Sequence, residues 1–137
     1  MYTSDIEKKH SAAKTSFVYL LISVFCAMFG GVYETYSHEV YSYYMIYAFA
    51  FPLVGGALPF AAISLSRAKH YPGAIARNLY HAGIATMTVG SIIQGVLEIY
   101  GTTNELTKYY SIAAMCLCAF AIICFLSQIV CLYLTKP

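Results

Sequence analysis

At 137 residues the chain has the size of one domain, yet 60% of it is hydrophobic and only 10% charged, with a mean hydropathy of +0.65. Soluble domains run nearer half apolar and a quarter charged, so this composition excludes an ordinary soluble enzyme and predicts an integral membrane protein. The net charge of +2 gives no reason to expect nucleic acid as a partner.

Four apolar runs follow one another: Ser16 to Tyr33, Tyr43 to Ser66, Asn78 to Leu97 and Tyr109 to Leu134. A hydrocarbon core of roughly 30 Å needs about 20 helical residues to cross it, and each run is of that order. Lipid offers no partner to the backbone, so a span is a helix unless a barrel closes, and these runs lack barrel-like alternation. The expected fold is therefore an all-α integral membrane protein with four transmembrane helices packed as a bundle. Residues 1–15 form an N-terminal segment and residues 67–77 a loop. The first run has a basic flank like a signal peptide, but no convincing small-residue cleavage site precedes Glu34.

Basic residues set the expected orientation. Lys8, Lys9 and Lys14 precede the first run, Arg67, Lys69 and Arg77 lie between the second and third, and Lys136 follows the fourth, leaving Lys108 alone on the other side. The positive-inside rule then predicts a multi-pass protein of the cell membrane with both termini in the cytoplasm, and Glu34, Glu39, Glu98 and Glu105 outside.

The chain writes one boundary twice. Gly31, Val32, Glu34 and Tyr36 match Gly95, Val96, Glu98 and Tyr100; after two extra residues in the second copy, Glu39, Tyr43, Tyr44 and Ile46 match Glu105, Tyr109, Tyr110 and Ile112. Interfacial chemistry alone favours tyrosine here, but a duplicated helical hairpin explains the order of residues better. The halves, about 16–66 and 78–134, become tandem parallel repeats, and Glu34 and Glu98 become symmetry partners.

Helical spacing assigns faces. Gly83, Met87, Gly90, Gln94 and Glu98 form one stripe of the third helix, and a shift of 64 residues maps it onto Tyr19, Ser23, Cys26, Gly30 and Glu34 in the first. These small and polar stripes are expected to face the bundle, where small residues let helices approach. In the second run, FPLVGGALPF, Pro52 and Pro59 flank Gly55 and Gly56. Each proline removes a donor, so the carbonyls of Ala48 and Gly55 lose their usual partners and the helix is expected to kink or open.

Candidate chemistry gathers at the outer end. Glu34, Gln94 and Glu98, with Tyr33, Tyr36 and Tyr100, are expected to line an outward-facing polar pocket for a cation, a proton-coupled solute or another small ligand, with Pro52 and Gly55 as further candidates at the broken helix. Two carboxylates in one partly dry site do not both ionise cheaply, so the pair would hold a proton or a cation, with Gln94 placed to donate to it. Glu34 and His38 are four apart, and with Glu39 they form a candidate metal set, although Asn104 stands where the second copy would need the histidine. A cation is the candidate cofactor. Haem is not expected, because His38 lies on the opposite side from His10, His70 and His81.

The five cysteines fall within predicted helices and behave as small apolar residues; Cys116-x-Cys118 lacks redox spacing. No phosphate-binding glycine loop, nucleophile elbow or zinc-protease motif is present, and an enzyme is less expected than a binding protein. Two function classes remain. One is a small-ligand binding or transport protein; the other is a non-catalytic membrane subunit or scaffold assembling through small-residue faces, with a membrane redox or metal protein third. The lipid bilayer, a second copy of the chain and a larger membrane complex are the candidate partners.

Overall fold

The computed structural model describes residues 2–37, 40–65 and 71–134. Among the described residues it is all helical, with four helices long and apolar enough to cross a membrane. We label them α1 (Tyr2–Thr35), α2 (Tyr43–Leu65), α3 (Ala74–Ile99) and α4 (Lys108–Leu134).

Two boundaries differ from the expectation. The first helix begins well before Ser16, so most of the segment 1–15 belongs to it: residues 5–14 hold good helix formers and neither glycine nor proline, which hydropathy does not register. Likewise α3 starts at Ala74, so the end of the expected loop 67–77 is helical, with Gly73 as its N-cap. Its other end stops at Gly101, whose φ of 68° only glycine adopts readily; Gly101 N–H then donates to Glu98 O at 3.0 Å and Thr102 N–H to Leu97 O at 2.9 Å, the paired bonds of a left-handed helix terminus.

The proline-rich run opens as expected, in a specific way. Within α2, a turn follows Ile46, Phe51–Ala57 is wound as a π-helix, and an ordinary helix resumes at Leu58–Leu65. Prolines and glycines widen the helix, and Leu58 N–H donates back to Leu53 O, five residues away. Hydroxyls of neighbouring helices also reach carbonyls of this run. Ser23 donates to Phe49 O (3.0 Å), Ser16 to Ala57 O (2.8 Å), Ser91 to Tyr44 O (2.7 Å) and Tyr80 to Gly55 O (2.7 Å), the last serving the carbonyl that Pro59 leaves without a donor.

The helices pack in chain order: α1 along α2, the first part of α2 on α3, and α3 along α4. On α1 the stripe assignment holds, since Tyr19, Ser23, Cys26 and Gly30 are buried while Phe17, Leu21, Phe25 and Met28 are exposed. The α3–α4 seam is close because a Cβ at Gly83 would stand 2.5 Å from Cys118 Sγ, and one at Gly90 2.6 Å from Tyr110 Cβ. Almost none of α4 is buried beyond that seam. Polar and small groups inside with large apolar groups outside is the pattern of helices that meet lipid rather than water.

Candidate functional site

Met45, 1% exposed, organises the end of the bundle that carries the repeated motif. It lies between two glycines of different helices: a Cβ on Gly30 of α1 would stand 3.0 Å from Met45 O, and one on Gly95 of α3 only 2.8 Å from Met45 N. Glu34 follows Gly30 by four residues and Glu98 follows Gly95 by three, so both acids stand one turn further out on faces turned to the start of α2. There Ser42, fully buried, donates to Glu98 Oε2 at 2.6 Å. The Oε1 atom of Glu34 is buried and has no hydrogen-bond partner. One acid is thus tied to the protein, while the other keeps an unmet acceptor.

Four of the remaining candidates line two cavities, neither of which either acid lines. Tyr33, Tyr36 and Tyr100 line a cavity of about 400 Å³ with Phe29, Val32, Ser37 and Ile99. Gln94 lines another, of about 540 Å³, between α2, α3 and α4, together with Ser91, Asn104, Thr107 and the ion-paired Glu105 and Lys108. Gln94 Oε1 accepts from Thr107 Oγ1, in the connection before α4, and among the described residues its amide nitrogen makes no hydrogen bond to either acid. Pro52 and Gly55 line neither cavity. Pro52 is buried within the π-helical run, and the Gly55 carbonyl is taken by Tyr80. His38 and Glu39 of the metal set lie outside the described residues, as do Arg67, Lys69, His70 and Lys136. Among the described residues no group of three or more metal-ligating side chains converges.

A second polar centre lies nearer the other end, and sequence reasoning missed it by setting His81 with His10 and His70 at or near the cytoplasmic face. His81 is inside the bundle: its Nδ1 and the Tyr19 hydroxyl share a hydrogen bond of 2.6 Å, and its ring stacks on Phe60 with centroids 5.1 Å apart. Tyr19, Ala57 and Phe60 form the buried cluster there, with Leu53, Ile63, Tyr80 and Ile84 packed on it. The signal available was the stripe containing Tyr19. What spacing within one helix does not reveal is which residue of a neighbouring helix meets it.

Fold and site together define a four-helix apolar protein with two half-buried acids at one end and a hydrogen-bonded, half-buried histidine nearer the other. No protein-family model matches the chain, and neither a curated protein nor a solved structure matches it.

Proposed function

We propose that this is a multi-pass membrane protein that binds a proton or a small cation at Glu34 and Glu98, with Glu34 as the primary ligand. The observation that carries the reading is the buried, unpartnered Glu34 Oε1. A carboxylate oxygen out of water with no donor is costly, and a cation or a shared proton removes the cost. Glu98, held by Ser42, is the fixed partner of the pair. The tyrosine-lined cavity beside them is of a size for a small solute, and its aromatic walls suit a cationic one. With the basic end in the cytoplasm, the acids face outward, and the duplicated boundary makes them counterparts in two hairpin repeats.

The scaffold reading relies on free small-residue faces. The buried glycines are already filled within the chain, by Met45 at Gly30 and Gly95, Tyr19 at Gly56, Cys118 at Gly83 and Tyr110 at Gly90, which favours binding over assembly. Calorimetric titration of the detergent-purified full chain with sodium, calcium and tetramethylammonium, coupled to proton release, tests the reading. Glu34→Gln should abolish binding and Glu98→Gln weaken it. Identical titrations for wild type and the double variant would leave the scaffold reading in its place.

A further inference from the structure

The end opposite the acids carries a feature that the outer site does not use. Because α4 packs along α3 and stands off α2, a cleft of about 240 Å³ opens between them. Phe60 and Ile63 of α2 form one wall and Ala121, Ile122 and Phe125 of α4 the other, so the cleft is almost wholly apolar. Among the described residues one charged group lines it, Arg77 in the first turn of α3. Its guanidinium lies over the Tyr71 ring, 5.8 Å from the centroid. Arg77 has no carboxylate partner among the described residues, whose one ion pair, Lys108–Glu105, is at the other end. Beside it the Tyr71 hydroxyl is buried and has no hydrogen-bond partner. No acid occupies the first turn of α3, and the side chain that meets its N-cap, Gln128 of α4 accepting from the Gly73 N–H at 2.9 Å, is neutral, so no charge among the described residues offsets this end.

We propose that this cleft holds one acyl chain of an anionic phospholipid, with the lipid phosphate on Arg77. The occupant follows from the pairing of features. An acyl chain suits a dry slot between helices, and the phosphate it carries meets the unpaired guanidinium that lines the slot. A soluble anion would satisfy Arg77 but leave the apolar walls uncovered. A zwitterionic lipid would cover the walls but bring a cation of its own to Arg77. The volume fits a segment of chain, so the rest of the lipid stays in the bilayer. The inference rests on the membrane part of the proposed function and is independent of Glu34.

Native mass spectrometry of the delipidated full chain, released from detergent after incubation with dioleoyl phosphatidylglycerol or dioleoyl phosphatidylcholine, tests it. Wild type should retain several-fold more phosphatidylglycerol. Arg77→Gln should bring the two lipids level. Ile122→Phe, at a position 53% exposed and therefore tolerant of change, should narrow the cleft and lower retention of both. Excess inorganic phosphate should leave the lipid bound. Equal retention of the two lipids by wild type, or displacement by phosphate with no effect of Ile122→Phe, would overturn the proposal. A chain that stays in solution without detergent would instead sink the membrane reading beneath it.

Discussion

Tyr19 of α1 reaches His81 of α3 across the backbone of α2, and Gly56 is what lets it pass: a Cβ at Gly56 would stand 2.2 Å from Tyr19 Cδ1. The hydrogen bond therefore joins two helices whose backbones do not pack on one another. In lipid such side-chain bonds are worth about 0.6 kcal/mol on average and up to about 1.7. A double-mutant cycle with Tyr19→Phe and His81→Leu, read by thermal unfolding in detergent, should give a coupling in that range. Additivity of the two changes within about 0.3 kcal/mol would mean that the bond contributes nothing.

Two glycines of the repeated motif should respond in opposite ways to alanine. Gly95 has Met45 N, Cβ and Cα at 2.8, 2.9 and 3.0 Å from a Cβ that would be added, and backbone does not give way cheaply. Gly95→Ala should destabilise by about 1–3 kcal/mol. Gly31 has nothing within 4 Å, so Gly31→Ala should stabilise by roughly 0.5–1 kcal/mol through helix propensity alone. Equal shifts of the unfolding midpoint would contradict the packing around Met45.

The Gly55 carbonyl has two candidate donors, one present and one removed. Tyr80 supplies the hydroxyl at 2.7 Å, while Pro59 lacks the N–H that a regular helix would offer. Tyr80→Phe should cost about 1–3 kcal/mol by stranding a buried acceptor. In a Pro59→Ala background the restored N–H can take that acceptor, and the same change should cost less. An undiminished cost would place the effect of Tyr80 in packing instead.

Much of this was legible in the sequence, and the limits have physical causes. The buried stripe of α1 followed from 3.6-residue spacing, and the opening of α2 from two prolines that lack donors. The early start of α1 was hidden because polar helix formers and polar coil have the same hydropathy. The pairings Ser42–Glu98, Thr107–Gln94 and Tyr19–His81 were hidden because each depends on the register between helices, which a single chain's periodicity does not carry.

Orientation has its own test. Single cysteines at Ser37 or Thr102, in a background where the native cysteines are replaced, should react with an impermeant thiol reagent added to intact cells. Those at Ser11 or Gly73 should react only after lysis. Labelling of a Gly73 cysteine in intact cells would invert the molecule and place Glu34 on the cytoplasmic side.

On the proposed membrane reading, the π-helical run of α2 bears on how the chain would enter a bilayer. A span normally satisfies its own backbone, and one that does not must leave carbonyls bare in lipid, at several kcal/mol each, until something covers them. Here the Gly55 carbonyl, four residues before Pro59, takes its hydrogen from Tyr80 of α3, a helix made after α2, whereas Phe49 O has a backbone donor in Leu53 N–H at 3.2 Å besides the Ser23 hydroxyl. Helix α4 has no such debt, being a continuous helix from Lys108 to Leu134. On that reading, α2 would not be complete as a span by itself: its Gly55 carbonyl is covered only once Tyr80 of α3 is in place.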